Sequence, residues 1–175
     1  MTGPEPGVAP SVVLMGVSGS GKSTVAALLA GTLGWDFAEG DAFHPESNVA
    51  KMSAGIPLTD DDRWPWLDAV AAWIAGHADR GAPAIVTCSA LKRGYRERIR
   101  GEGTVFVHLA GDRDTLETRL GARLGHFMPA ALLDSQLADL DPLEPDENGL
   151  EIGIDRSPAE QCEEIIAALR LGGDG

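Results

Sequence analysis

The chain has 175 residues, with 14 Lys and Arg against 27 Asp and Glu and a formal net charge of −13. A chain of this length forms about one domain, and we expect a single domain over residues 1–175 with flexible termini at 1–10 and 172–175. So acidic a composition argues against nucleic-acid and anionic-membrane partners, because such binders need a broad basic face. Neither a leader pattern nor an apolar run of membrane-spanning length is present, so we expect a cytoplasmic protein.

Five short apolar segments alternate with helical patterns along the chain. They cover residues 12–15, 35–39, 84–90, 104–109 and 150–155. The first helix should end at Gly34, and the last should begin with a capping box of Ser157 and Glu160. Strands that alternate with helices predict an α/β fold with a parallel sheet and helices on both faces. Ligands of such folds bind beyond the carboxyl ends of the strands.

The segment GVSGSGKST, residues 16–24, follows the first strand and carries the complete phosphate-loop pattern. Backbone N–H groups at a helix N-terminus bind phosphate oxygens, Lys22 adds a positive charge, and the Ser23 hydroxyl is the expected Mg²⁺ ligand. A phosphate loop predicts nucleotide binding and not a reaction, so a small-molecule kinase and a nucleotide-driven switch both stay open. The residues expected to bind ATP and Mg²⁺ here are Gly16, Ser18, Gly19, Ser20, Gly21, Lys22, Ser23 and Thr24.

Polar residues are concentrated after the second strand. Glu39 and Asp41 are spaced by two, so in an extended segment both carboxylates would project toward the phosphate loop. We expect Asp41 to accept a hydroxyl proton and Glu39 to help hold hydrated Mg²⁺. The segment 84–90 has no terminal Asp, so a further metal contact would have to come from Glu39, Asp41 or water. The plainer alternatives are that Asp41 caps a turn and that His44 is a loop hydrogen-bonding residue.

Five of the positive charges fall within nine positions: Lys92, Arg93, Arg96, Arg98 and Arg100. Lys92 and Arg96 are four apart and would share a helix face. Arg63 lies in the first turn of a helix, where a cation opposes the helix dipole, so an anion should reward its position. We therefore expect an acceptor carboxylate between Arg63, Lys92 and Arg96, with Ser89 bonded to it or to the Mg²⁺ shell. The alternative is a surface helix that forms salt bridges, which we favour for the last two arginines of the cluster.

Four segments together resemble the gluconokinase family: GVSGSGKST, EGDAFHPESNVAKMSAGIPLTDDDRWPWL, CSALKRGYRERIR and RLGARLGHFMPAALLDSQLADL. The resemblance spans about residues 10–156. It implies a three-layer P-loop kinase fold with a mobile helical lid that transfers the γ-phosphate of ATP to D-gluconate and gives 6-phospho-D-gluconate. It also suggests a homodimer. A shikimate-type kinase on the same scaffold and a non-enzymatic nucleotide switch are the alternatives.

The resemblance places a lid at about residues 119–140. Arg119 and Arg123 are four apart and could close over the transferring phosphoryl group, although both could instead be exposed helix residues. Glu39 stands where many relatives carry Asp, and Leu124 stands where a Lys is often found. Together, the residues and the resemblance predict catalytic roles for Lys22, Asp41 and Arg123. They predict acceptor contacts from Asp41, His44, Arg63, Ser89, Lys92, Arg96 and His126.

Overall fold

The computed structural model describes residues 8–17, 19–122 and 130–171. Strands and helices alternate as the sequence predicts. The strands are β1 (Ser11–Met15), β2 (Asp36–Glu39), β3 (Ala84–Thr87), β4 (Thr104–Ala110) and β5 (Gly149–Gly153). The helices are α1 (Lys22–Leu33), α2 (Glu46–Ser53), α3 (Asp60–Asp79), α4 (Arg93–Ile99), α5 (Arg113–Ala122), α6 (Ala130–Asp139) and α7 (Pro158–Leu169). A 3₁₀ turn, Gly40–Phe43, follows β2.

The five strands form one parallel sheet in the order β2-β3-β1-β4-β5. The predicted α/β architecture is therefore confirmed. β1, which leads into the phosphate loop, lies in the middle of the sheet and is buried along its whole length. Strands buried on both faces have continuous apolar sequences, which is why β1 and β3 could be recognised from sequence. β3 and β5 both end earlier than predicted, at Thr87 and Gly153.

Alternate residues of the central strand build two separate cores. Val12 and Leu14 pack in a cluster with residues of α1, α5, α6 and α7. Val13 and Met15 pack on the opposite face with residues of α3 and α4. Because side chains alternate across a strand, one apolar strand can serve both layers. In the part of the chain that the structure describes, no helix combines the length and apolar character needed to span a membrane.

The predicted helix ends are confirmed where the sequence encodes them locally. Gly34 follows α1 in the left-handed conformation, with φ of 71°. The Ser157 side chain accepts from the Glu160 N–H and the Glu160 carboxylate accepts from the Ser157 N–H, so the capping box opens α7. Gly34 thus ends α1 before β2 begins, and the capping box ends the loop that follows β5.

Candidate active site

A cavity of about 560 Å³ opens at the carboxyl edge of the sheet. Lys22 and Ser23 of the phosphate loop line it on one side, and His44, Arg63 and Tyr95 line it on the other. The loops after β1, β2 and β3 meet there because parallel strands end at the same edge of the sheet. Groups predicted for the donor and for the acceptor therefore face one common space, although Lys92 and Arg96 are not among the residues that line it.

The phosphate loop wraps around the Lys22 ammonium group. Lys22 Nζ donates to the carbonyl of Gly16 at 2.9 Å and to that of Val17 at 3.1 Å. Gly16 has φ of +144°, and a Cβ there would lie 2.9 Å from the carbonyl oxygen of Leu109, so only glycine fits. The Gly16 N–H donates to the Ser89 carbonyl at 3.2 Å, which ties the loop to the end of β3.

The remaining residues of the predicted loop occupy different environments. Gly19 and Gly21 line the cavity. Ser20 is fully buried and its hydroxyl has no hydrogen-bond partner among the described residues, while Thr24 is exposed in the first turn of α1. Ser18 lies outside the described residues. Gly19 and Gly21 are thus the loop glycines placed to meet a phosphate group.

One carboxylate oxygen joins the phosphate loop to the neighbouring strands. Ser23 Oγ donates to Glu39 Oε2 at 3.0 Å, and Thr87 Oγ1 donates to the same oxygen at 2.5 Å. Thr87 Oγ1 also accepts from the Gly40 N–H at 3.2 Å. A hydroxyl and a carboxylate beside a phosphate loop are the oxygen donors that suit Mg²⁺, so Ser23 and Glu39 fit the ion. The described residues contain no group of three or more His, Cys, Asp or Glu side chains that could hold a metal by themselves.

The chain turns sharply after Glu39. A Cβ on Gly40 would lie 2.0 Å from the Thr87 carbonyl oxygen, so glycine is required by this close approach. Trp66 Nε1 donates to the Gly40 carbonyl at 2.8 Å and fixes the turn. The predicted extended geometry of residues 39–41 is therefore wrong, because Asp41 lies in the 3₁₀ turn. Glu39 and Asp41 nevertheless line the same cavity.

His44 is held at the cavity wall by two neighbours. Its ring stacks on Trp66 with centroids 4.2 Å apart and an interplanar angle of 17°. Its Nδ1 lies 3.2 Å from Asn48 Nδ2. Burial lowers the pKa of His44, with Arg63 acting in the same direction and Asp41 in the opposite one. Burial therefore favours the neutral form of the ring.

Arg63 and Lys92 come together around the phenol of Tyr95, and with Asp60 they form what we call the Tyr95 cluster. Arg63 Nη1 donates to the Tyr95 hydroxyl at 2.9 Å, and that hydroxyl donates to Asp60 Oδ1. Lys92 Nζ donates to the same Asp60 oxygen at 3.3 Å. Both cations also lie over the Tyr95 ring, 5.5 and 5.6 Å from its centroid. The hydrogen bond from Tyr95 lowers the pKa of Asp60, so the cluster contains two cations and one anion.

Arg96 does not join this cluster. Its side chain is 0% exposed and donates to Glu147 from Nε at 2.7 Å and from Nη2 at 3.1 Å. Nη1 donates to the carbonyls of Ala90 and Leu91. Burial opposes ionisation of Glu147, but the Arg96 hydrogen bond holds its pKa below the usual value. The predicted acceptor contact of Arg96 is therefore wrong, because its guanidinium is used within the core.

The error has a local cause. α4 begins at Arg93, and Lys92 is its extended N-cap residue, with φ of −92° and ψ of 143°. Helical spacing therefore does not relate Lys92 to Arg96. Two other basic residues of this segment form salt bridges at the surface. Arg93 pairs with Glu97 and Asp146, and Arg98 pairs with Asp68. Arg100 is exposed and makes no ion pair within the described residues.

Arg119 of α5 lies beside the phosphate loop. Its Nη1 would be 3.5 Å from a Cβ on Gly21, and its Nη2 donates to the carbonyl of Ile154 after β5. This position is compatible with contact to a bound phosphate group. The other lid residues that the sequence singles out lie outside the described residues: Arg123, Leu124 and His126.

Comparison with known proteins gives the chain its family. No family model matches it. It is 50% identical over 157 residues to the gluconokinase of Gluconobacter oxydans, covering 89% of this chain and 88% of that protein. It is 41% identical over 167 residues to the thermosensitive gluconokinase of Escherichia coli, covering 91% and 89%. The chain belongs to the gluconokinase family. It is therefore a phosphotransferase, and membership of a kinase family implies the use of ATP.

Solved structures agree with this assignment. A gluconokinase from Sinorhizobium meliloti, 44% identical, has a TM-score of 0.82 and covers 93% of both chains. A sugar kinase from Janibacter, 49% identical, has a TM-score of 0.87 and covers 93% of this chain and 95% of its own. The APS kinase CysC of Mycobacterium tuberculosis shares the fold at 20% identity, with a TM-score of 0.67 over 94% of this chain and 99% of its own. The predicted P-loop kinase fold and the gluconokinase resemblance are both confirmed.

Several residues at the site were not singled out from sequence. Thr87 had a readable signal, since it is the last residue of a buried strand at the ligand-binding edge. Tyr95 is the one tyrosine of the chain and lies inside the basic segment. Asn48 gave no signal, because its role depends on contacts to both α3 and His44. The sequence also missed three residues of α6 that line the cavity: Ser135, Gln136 and Asp139.

Proposed function

We propose that the protein transfers the γ-phosphoryl group of ATP to the terminal hydroxyl of D-gluconate and gives 6-phospho-D-gluconate. The observation that carries the proposal is one cavity lined on one side by the phosphate loop and on the other by Arg63 and Tyr95, with Lys92 held beside them through Asp60. Relatives named gluconokinase at 41% and 50% identity support the choice of acceptor. In-line transfer needs both substrates in one space, because the reaction depends mainly on positioning and charge neutralisation.

The acceptor carboxylate is assigned to the Tyr95 cluster. The Arg63 guanidinium offers the planar donors that match a carboxylate, and Lys92 adds a second positive charge nearby. The Tyr95 hydroxyl already donates to a carboxylate, that of Asp60. A substrate carboxylate would therefore share these donors with Asp60 or take its place. The hydroxyl groups of gluconate are assigned to His44 and Ser89, which line the same cavity.

On the donor side, Lys22 and the loop amides are assigned to the ATP phosphates, and Ser23 and Glu39 to Mg²⁺. When bound, Mg²⁺ neutralises charge on the phosphate oxygens. Asp41 is assigned the proton of the acceptor hydroxyl, since it lines the cavity at the turn after β2. No covalent intermediate is needed for this transfer. Contacts of Arg119, Arg123 and His126 to the substrates through a closing lid, about residues 119–140, stay predictions.

The test is ADP release by the purified protein with ATP and Mg²⁺. The acceptor panel is D-gluconate, shikimate, glucose, AMP and no acceptor. We expect release with D-gluconate alone. In Lys92→Ala the KM for D-gluconate should rise about tenfold or more, because a charged hydrogen bond to the carboxylate is lost.

The matched control is Arg98→Ala, which removes a cation of the same basic segment whose partner is the surface carboxylate of Asp68. Its KM should be unchanged. ADP release with shikimate alone would show that shikimate, and not D-gluconate, is the acceptor. ATP hydrolysis at the same rate with and without each acceptor would favour a nucleotide switch instead.

Three further properties of the protein stay predictions: a single domain over residues 1–175, a homodimer and a cytoplasmic location. The dimer follows from the family resemblance. Light scattering on the purified protein measures its mass directly, and a monomer at all concentrations would contradict it.

A further inference from the structure

A buried amide stands behind the ring of His44. Asn48 of α2 is 2% exposed and makes two contacts with the same nitrogen. Its Nδ2 donates to the backbone carbonyl of Asp62, in the first turn of α3, at 2.8 Å. It also lies 3.2 Å from His44 Nδ1. Asn48 is not among the residues that line the cavity, so its influence on a ligand must pass through His44.

The Asp62 carbonyl decides which way the amide points. A backbone carbonyl only accepts hydrogen bonds, so the Asn48 atom that faces it must be the nitrogen and not the oxygen. The second hydrogen of that nitrogen then faces His44 Nδ1, which must accept it. A neutral imidazole with an accepting Nδ1 carries its proton on Nε2.

The second nitrogen of the ring is not held by the groups that hold the first. Within the described part of the chain, His44 Nε2 has no hydrogen-bond partner, although the ring lines the cavity. Stacking on Trp66 fixes the plane of the ring, and Trp66 is itself held by its bond to the Gly40 carbonyl. A fixed donor without a protein partner is the arrangement that receives a ligand oxygen.

We infer that Asn48 is a positioning residue that holds His44 as the Nε2–H tautomer, so that the ring donates a hydrogen bond to a hydroxyl oxygen of the acceptor. The acceptor is D-gluconate, so this part of the inference rests on the proposed function. In this tautomer Nε2 already carries a proton, and Nδ1 could take one only by breaking its contact with Asn48. His44 therefore orients the acceptor, and proton removal is left to the carboxylate of Asp41.

The arrangement also makes the donor independent of pH near neutrality. The charged groups that face His44 are Asp41 from the 3₁₀ turn and Arg63 from α3. Their effects on the ring oppose each other, and burial favours the neutral form. Because the neutral ring already carries the Nε2 proton, raising the pH does not remove the donor.

The first experiment reads the tautomer in the unchanged protein. Imidazole ¹⁵N spectra of the histidine-labelled protein, compared with those of His44→Gln, assign the two nitrogens of His44. We expect Nδ1 without a proton and Nε2 with one between pH 7 and pH 8. A proton on Nδ1 would overturn the inference, and this measurement does not depend on any variant at position 48.

The second experiment replaces the hydrogen-bond donor that faces His44 Nδ1 with an acceptor. In Asn48→Asp a carboxylate faces Nδ1 and binds the proton there, so deprotonation of the ring now removes the proton from Nε2. The KM for D-gluconate should then rise about tenfold as the pH rises through the pKa of His44, because one hydrogen bond to the acceptor is lost. The parent protein should show no such rise.

The matched control is Asn148→Asp. Asn148 also donates from Nδ2 to a backbone carbonyl, that of Thr104 at 3.2 Å, but lies at the start of β5. It should leave the pH dependence of KM unchanged. A flat KM in Asn48→Asp, with that variant folded, would overturn the positioning role.

The spectra separate this inference from the proposed function. A His44 Nε2–H resonance that shifts on addition of D-gluconate supports both. If Nδ1 is unprotonated and the Nε2 resonance is unmoved by D-gluconate, the tautomer assignment is supported. The donor role of His44 is then overturned if the protein releases ADP with D-gluconate, and the choice of acceptor is overturned if it does not.

Discussion

At the scale of single residues, the contact between Ser23, Glu39 and Thr87 is the distinctive feature of the site. Many P-loop proteins hold Mg²⁺ with an Asp at the end of a neighbouring strand. Here β3, the strand next to β1, ends in Thr87, and the carboxylate that we propose for Mg²⁺ is that of Glu39 on β2, one strand further away. The Glu39 side chain is one methylene longer than that of Asp, and its carboxylate reaches Ser23 Oγ at 3.0 Å from β2. Thr87 holds that side chain in place from the strand between.

This geometry predicts that the length and the charge of the side chain at position 39 both matter. Glu39→Asp withdraws the carboxylate from Ser23, and Glu39→Gln keeps the length but removes the charge. In each variant the Mg²⁺ concentration for half-maximal activity should rise about tenfold or more, as for disturbed metal sites generally. A Mg²⁺ titration of activity measures this. Glu102→Gln, an exposed acid on the opposite edge of the sheet, is the control, and an unchanged Mg²⁺ requirement in both Glu39 variants would contradict the assignment.

At the scale of secondary-structure elements, α4 is joined to the segment before β5 through the interior. The Arg96–Glu147 pair is buried, and the Glu144 N–H donates to Glu147 at 2.8 Å. Asp141 adds a further link, since its carboxylate accepts from the Arg93 N–H. A helix as short as α4 would be only marginally stable by itself in water, so these contacts are what stabilise it.

Breaking this pair should be costly at neutral pH. Glu147→Gln leaves the Arg96 charge buried without its counter-ion, so the free energy of unfolding should fall by about 3 to 5 kcal/mol. Urea unfolding at pH 7 measures it. Asp68→Asn, which removes the partner of Arg98 at the surface, is the matched control and should change stability little, because exposed ion pairs contribute little.

The pH dependence of the same variant has a definite sign. The pKa of Glu147 is lowered in the folded protein, so its stabilising effect is present above its unfolded pKa and is lost as the pH falls through the lowered value. The difference between the parent and Glu147→Gln should therefore shrink from pH 7 toward pH 3. A constant difference over that range would show that the charge of Glu147 is not what stabilises the protein.

Sequence predicts an element best where the information is local. The phosphate loop, the Gly34 end of α1 and the Ser157–Glu160 capping box each lie within a few neighbouring residues, and all were located correctly. The partner of Arg96 lies 51 positions away and that of Thr87 lies 48 positions away. No periodic pattern encodes such pairs, because they depend on how separate elements pack. The buried partner of Arg96 could not be predicted for this reason, and the start of α4 at Arg93 separated Arg96 from Lys92. Arg63 and Lys92 were correctly brought together.

At the scale of the whole molecule, nucleotide binding should stabilise the fold. MgATP at about 100 times its Kd should add about 2.7 kcal/mol, because it binds the folded chain and not the unfolded one. For a chain of this size that corresponds to a rise in Tm of about 5 to 10 °C, which differential scanning fluorimetry measures. Lys22→Ala should lose most of the rise, and its turnover should fall about 100-fold or more. The same rise in Lys22→Ala as in the parent would contradict the assignment of the phosphate loop.

The order of the strands places the phosphate loop and Arg119 on one half of the sheet and the residues proposed for the acceptor on the other half. The central strand β1 leads into the phosphate loop and β4 leads into the helix with Arg119, whereas β2 and β3 are followed by the segments that hold His44, Arg63 and the Tyr95 phenol. Cavity-lining side chains of segments 40–63 and 88–96 can therefore change while the phosphate loop keeps its framework, provided that Gly40 and Arg96, which the fold requires, are kept. Evolution can exchange one acceptor for another on this scaffold by substitutions in these two segments. A protein engineer can attempt the same exchange by transplanting both segments together.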